Sequence, residues 1–239
     1  MKNKRSVLPD TFGASAIKKS RLSKKFNLPY IGYESYILPD YFALYSNLNE
    51  YKKTKNTCVV FYEYDEKFDS SRGLWSAIIH NDKKKLEEFK KRFSKVKFIV
   101  APDYSITGDM PFPLQLFQIY KSRVVSIWIQ ENCGCSIIPN LQFVDKRTYR
   151  FCFDGIHKNS VVCLSIYGLC KNPKDVENLK VGLRRALKII DFETLLVYGE
   201  CSQEKFKYIF EEVITNGVKI IFPNSRLKEF RRRENVNSL

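Results

Sequence analysis

At 239 residues the chain suffices for one substantial core, and 44% hydrophobic with 14% aromatic content excludes a wholly disordered protein, because burial of those residues offsets the entropy of ordering. Apolar runs such as VVSIWI and KIIDFETLLVYG stop well before the roughly 18 residues that cross a bilayer, and the start MKNKRSVLPDTFG has no continuous apolar stretch, so a cytoplasmic protein with no membrane partner is expected. The net charge of +15 points to a polyanionic partner, nucleic acid first, because basic segments bind phosphate backbones by counterion release without reading sequence.

Residues 1–30 hold eight Lys or Arg against one acid and show little periodicity. They are expected to form a basic arm, with Lys18, Lys19, Arg21, Lys24 and Lys25 as candidate backbone contacts. The Tyr-rich stretch LPYIGYESYILPDYFALYS, punctuated by Pro29, Gly32 and Pro39, reads as turns around short elements whose tyrosines pack on the domain or stack on bases. TCVVFYEY (57–64) is β-branched and aromatic and predicts a strand. The charged segment from Asp82 to Arg92 follows, where Leu86, Phe89 and Phe93 at spacings of three and four predict an amphipathic helix. VKFIVAPD predicts the next strand. Pro111 and Pro113 preset a helix start, and Leu114, Phe117, Tyr120, Val124 and Trp128 continue it, although VVSIWI alone would pass for a strand.

CSIIPNL, TYRFCF and SVVCLSIYG predict three strands. Asn172 and Pro173 then cap a helix whose core face is Val176, Leu179, Leu183, Leu187 and Ile190. TLLVYG is a strand, Ser202 caps a helix stopped by Asn216 and Gly217, and VKIIFPN is the last strand. Strands alternating with helices imply parallel pairing, so residues 31–224 are expected to be one α/β domain of about six parallel strands, with TYRFCF as an antiparallel insertion. No Gly-rich nucleotide loop follows the first strand, which favours a β/α barrel-like fold, an incomplete or irregular TIM-type barrel, over an open doubly wound parallel sheet. Residues 225–239 form a basic tail, in which Arg231, Arg232 and Arg233 join the candidate nucleic-acid contacts. Lys180, Arg184 and Lys188 recur every four residues on one helix face and either track a phosphate backbone or form a solvated face.

Short apolar runs repeatedly end in polar residues: Asp103 and Ser105, Asn140, Asp154, Ser165 and Tyr167, then Tyr198 and Glu200. Loops leaving the carboxyl ends of strands converge on one crevice, where α/β enzymes place their chemistry. Asp103, Asp109, Asp154 and Glu200 are therefore the candidate catalytic carboxylates, with Glu63 and Asp65 at the end of an earlier strand. Converging carboxylates in a basic protein would hold Mg²⁺ and activate water, or one would serve as nucleophile or general base at a sugar carbon. Otherwise they cap helices and pair with cations. Ser105, Asn140, His157, Lys158, Ser160 and Tyr198 are candidate substrate or phosphate contacts, although a polar turn such as 154–160 needs no function. Seven cysteines, five in or beside apolar runs, make a disulfide framework unexpected, and the pair Cys133 and Cys135 with two histidines in the chain is a poor zinc signature.

The segments PDYSITGDMPFPLQLFQIY, WIQENCGCSIIPNLQF and FCFDGIHKNSVVCLSIYG resemble an uncharacterised family, a domain of unknown function in bacterial, bacteriophage and other mobile-element proteins, over roughly residues 55–224. The resemblance implies a mobile-element setting and supplies no activity. The β/α pattern and its PD-S start are also similar, at fold level, to the guanine transglycosylases, without their zinc-binding cysteine and histidine cluster. Three readings follow: a nucleic-acid-binding protein with a carboxylate-dependent step, a protein-interaction module, and an enzyme of nucleotides or sugar phosphates with Lys158 as anion contact.

Overall fold

In the computed structural model, which describes residues 10–33 and 37–230, the β-branched and aromatic runs form strands and the periodic segments between them form helices. In chain order these are β1 (Tyr41–Leu44), β2 (Thr57–Val60), α1 (Leu74–Ile79), α2 (Lys83–Phe93), β3 (Phe98–Val100), α3 (Phe112–Cys133), β4 (Ser136–Ile138), β5 (Val161–Ser165), α4 (Pro173–Ile190), β6 (Thr194–Tyr198), α5 (Gln203–Thr215), β7 (Lys219–Ile221) and β8 (Asn224–Ser225). Their limits are local chemistry. Asp82, Asn172 and Ser202 accept N-cap hydrogen bonds from Lys85, Lys174 and Lys205. Gly134 ends α3 in the left-handed conformation at φ 69°, a backbone state that costs glycine little.

All pairings between these strands are parallel, in two sheets of order β4-β3-β2-β1-β8 and β5-β6-β7. The ladders are interrupted at prolines, which have no N–H to donate. After β4, the Pro139 carbonyl accepts from Cys163 N, and a parallel bridge between Asn140 and Cys163 is the contact that remains between the sheets there. Phe222 and Pro223 likewise divide the expected strand VKIIFPN into β7, which pairs with β6, and β8, which pairs with β1.

Strand residues alternate between two buried faces, as expected for parallel sheets covered on both sides. Tyr41, Ala43, Val59, Ile99 and Ile137 face a core shared with α1, α2 and α3. Val162, Leu164, Leu195 and Val197 face a second core with α4 and α5. The opposite side chains of both sheets, Phe42, Cys58, Val60, Phe98, Val100, Ile138, Val161, Cys163 and Leu196, meet in a third cluster. Residues 10–33 pack on this body: Tyr120 Oη donates to Phe12 O at 2.8 Å, and Ser23, Leu28 and Ile31 are buried.

Two expectations are corrected. TYRFCF is no strand but a 3-10 turn (Thr148–Arg150) running into further turns, because Tyr149, Phe151, Cys152 and Phe153 are all buried in one core and never alternate. Within the Tyr-rich stretch read as turns around short elements, one element is the unpredicted strand β1, and α1 occupies LWSAII, which carried no predicted element. The α/β class with parallel strands is as expected, and the ladders are divided between two sheets.

Candidate functional site at the carboxyl edge of the strands

Strands β3, β4 and β5 end beside one another, and their exits bring Asp103, Asn140 and Ser165 to one edge. Together with Ser105, Gln142, Tyr167, Asp175 and Asn178 they line a half-open pocket of about 350 Å³. The Asp103 carboxylate accepts from Asn140 Nδ2 at 2.6 Å. Asn140 Oδ1 in turn faces the Tyr62 hydroxyl at 3.0 Å, and that hydroxyl lies 3.2 Å from Cys163 Sγ. A phenol has one proton, so when Tyr62 donates to Asn140 the Cys163 thiol is left to donate to Tyr62. The thiol keeps its proton, because burial pushes its pKa up to about 12. The chain Cys163–Tyr62–Asn140–Asp103 thus fixes which end of the Asn140 amide meets the carboxylate.

Burial of the Asp103 carboxyl raises its pKa to about 7, with the nearby Asp65 charge pushing the same way and the Asn140 hydrogen bond opposing. Asp65 is itself engaged, accepting from Ser105 N at 3.0 Å and from Ser105 Oγ at 2.7 Å. Behind the pocket, Tyr62 stacks on Tyr198 with ring centroids 5.1 Å apart, and the exposed Tyr167 packs edge-on against Tyr198 at 6.1 Å.

Of the predicted site residues, Asp103, Ser105 and Asn140 share this pocket, and Tyr198 lies beneath it. Glu200 is on the same edge but lines a small neighbouring hollow with Phe42, Ser225 and Lys228. Glu63 caps the next exit, accepting from Ser46 N at 2.9 Å. Asp109 stands exposed in the loop before α3, its pKa held low by a hydrogen bond with Thr107, and takes no part in the pocket. Asp154, His157 and Lys158 sit at the opposite edge, where β5 begins. That is a correction: with TYRFCF a turn, Asp154 follows no strand and cannot join the carboxyl edge. Ser160 is fully buried just before β5, and its Oγ has no hydrogen-bond partner among the described residues.

The basic stripe on α4 is largely spent inside the molecule. Lys180 Nζ pairs with Glu211 at 2.8 Å and sits 3.9 Å from the Tyr208 ring, and Arg184 pairs with Glu212. Lys188 stays exposed. Lys18, Lys19, Arg21, Lys24 and Lys25 are exposed as well, whereas Arg231, Arg232 and Arg233 lie outside the described residues. Among the described residues no group of three or more His, Cys, Asp or Glu side chains is placed to hold a metal ion, and no helix is long and apolar enough to cross a membrane.

Sequence reasoning missed Tyr62, Gln142, Asp175 and Asn178. Tyr62 had a usable signal, since it is the second residue past the end of β2, the same offset that places Asn140 past β4. Asp175 and Asn178, on the first turns of α4, face the pocket only because α4 packs back across β5, which no local pattern reports.

A parallel α/β body with a polar pocket at its strand ends is a scaffold shared by many enzymes and does not name one. The chain belongs to the family described as a domain of unknown function (DUF4417), whose model matches residues 21–216. It is similar to two proteins called Gene 1 protein: that of Mycobacterium phage L5, 33% identical over 109 residues (46% of this chain and 47% of the relative), and that of Mycobacterium phage D29, 27% identical over 150 residues (63% and 51%). The chain spans about half the length of these curated relatives. No solved structure matches it.

Proposed function

We propose that the chain is a phage-associated enzyme acting on nucleic acid, in which Asp103 in the carboxyl-edge pocket takes the proton of a water that adds to the sugar carbon as the bond to the nucleobase breaks, and returns that proton to the departing base. The observation that carries this reading is the Asp103 carboxyl held at 2.6 Å by Asn140, with its pKa pushed to about 7. A general acid–base serves best when its pKa lies near the working pH. The surrounding groups suit a polar heterocycle: Asn140, Gln142, Ser165 and Asn178 offer donors and acceptors, and the exposed Tyr167 ring offers a stacking face at the lip. A pocket of about 350 Å³ takes one nucleoside-sized group, so the base must enter from a single strand or be turned out of a duplex.

Attraction to nucleic acid comes from the basic segments. Residues 11–33 carry five Lys or Arg and no acid. The nucleotide or sugar-phosphate reading loses its anion contact, because Lys158 is at the other edge of the sheet. We also read the two sheets as one irregular β/α barrel. The Asn140–Cys163 bridge, the two-residue step from β7 to β8 and the cluster shared by both sheets support this reading, which puts Asp103, Ser165 and Glu200 on one rim.

The test is to incubate the full chain, and the Asp103→Asn variant, with single- and double-stranded DNA and RNA oligonucleotides and to follow base release or mass change by mass spectrometry. The expected result is one reactive substrate class, a rate that changes about pH 7, and a loss of roughly 10²–10⁴-fold in the variant with binding retained. Equal turnover by Asp103→Asn, or no change in any of the four substrates, contradicts the proposal.

A further inference from the structure

The amino edge of β5 holds a second hollow, of about 430 Å³, lined by Arg21, Tyr30, Asp154, His157, Lys158 and Ile189. Its walls are fixed by the backbone. Ile31 N donates to Gly155 O at 2.8 Å and His157 N to Ile31 O at 3.0 Å, forming a parallel bridge that ties the basic segment to the 154–157 turn. Gly32 permits that approach, since a Cβ there would stand 2.7 Å from the His157 Cβ and from Ser160 Oγ. On the other side, Ser23 Oγ donates to Asp154 at 2.5 Å.

The side chains left facing the hollow are cations and rings. The Arg21 guanidinium lies 5.0 Å from the Tyr30 ring centroid, and the Tyr30 and His157 rings are 5.4 Å apart. The one acid in the lining, Asp154, is occupied by Ser23 and faces the charge of the buried Arg123 beneath it. Among the described residues neither Arg21 nor Lys158 makes an ion pair, and Lys18, Lys19, Lys24 and Lys25 extend the positive surface along the same segment.

We propose that this hollow binds a nucleotide unit, with the phosphate between Arg21 and Lys158 and the base against Tyr30, His157 and Ile189. Cationic side chains interleaved with aromatic rings are what a single-stranded nucleic acid needs, charge for the backbone and a π face for each base. The site is distinct from the Asp103 pocket and stands at the other end of the strands. Its choice of ligand rests on the nucleic-acid reading but not on the chemistry assigned to Asp103.

The experiment is fluorescence anisotropy of a labelled single-stranded dT12 on the full chain across a salt series. It compares the wild type, Arg21→Ala/Lys158→Ala, Tyr30→Ala, Tyr30→Leu and the charge-matched control Lys55→Ala/Lys84→Ala, with AMP and inorganic phosphate as competitors. Loss of two phosphate contacts is expected to flatten the slope of log affinity against log salt by about 1.4, at about 0.7 per contact on a single strand. Both Tyr30 variants should weaken binding about tenfold with the slope unchanged, as loss of one stacked base does, and Tyr30→Leu separates stacking from packing. Displacement by AMP but not by phosphate identifies a free nucleotide as ligand, whereas displacement by neither identifies a strand; either supports the site. If dT12 binds with an ordinary salt slope that the hollow variants and the control change alike, the hollow is overturned and the nucleic-acid reading stands. If dT12 does not bind the wild type, both fall.

Discussion

Asp103 links stability to protonation at a single residue. Its folded pKa of about 7 lies above the ordinary value of 3.8, so the native chain holds the proton more tightly than the unfolded one. The stability this contributes is complete below the ordinary carboxylate range and is lost as pH rises through about 7, where the fold must carry a buried carboxylate. Asp103→Asn removes that burden and can still accept from Asn140. It is expected to raise Tm at pH 8 by ~2–6 °C, equivalent to ~1–2 kcal/mol in a chain this long, with the gain vanishing near pH 4 in paired melts. A lower Tm at pH 8 than at pH 4 relative to wild type would reverse the sign and the argument. Tyr62 acts one step further out. Tyr62→Phe leaves Asn140 Oδ1 and the Cys163 thiol unpartnered and should cost about 1 kcal/mol in urea unfolding. With Asn140 free to present its oxygen to Asp103, the pH at which Asp103 titrates should also move up, which simple loss of packing would not do.

Among the elements, α4 does the most to shape the site, since it packs over β5 and carries Asp175 and Asn178 to the pocket. Gly182 sets how closely it can approach: a Cβ there would meet the Phe143 ring at 2.0 Å, and Phe143 is part of the pocket wall. Gly182→Ala is expected to destabilise by ~1–3 kcal/mol through overpacking, more than the ~1 kcal/mol that alanine gains as a helix former. Phe143→Leu in the same chain should restore much of the loss, and an unchanged urea midpoint for Gly182→Ala alone would show that the helix shifts freely. Helices α4 and α5 are legible in the sequence because their caps and their 3.6-residue periodicity agree, and α2 is legible from its periodicity alone. The turn at 148–154 was not, since an aromatic run buried on one side looks like a strand until its partners are known. That one misreading carried Asp154, and with it His157 and Lys158, to the wrong edge. The Lys180 and Arg184 stripe was legible as a stripe, but its α5 partners Glu211 and Glu212 come from a tertiary contact.

At the scale of the whole molecule the candidate acids and the candidate cations stand at different ends of the strands, although Asp40 and Glu193 also precede strands and Lys228 lies beside Glu200. Glu63, Asp65, Asp103 and Glu200 gather where the strands finish, while Arg21, Lys158 and the basic segment cover the end where β5 begins. On the proposed reading a polyanion approaching a chain of net charge +15 meets the second end, and the Asp103 carboxyl stands at the first. Strand β5, which runs between the hollow and the pocket, has five residues, and at a rise of roughly 3.3 Å each its ends stand ~17 Å apart, a span that a few extended nucleotides cover. The composition raised the expectation of a polyanionic partner; only the topology separates the basic hollow from the pocket. The most direct measurement is a carbon-13 NMR pH titration of the full chain labelled at its aspartate carboxyls, run beside Asp103→Asn. The expected result is one carboxyl with a midpoint near 7, lost in the variant. If every aspartate titrates near its ordinary value of about 4, Asp103 is no poised acid–base and the chemistry assigned to the pocket is contradicted.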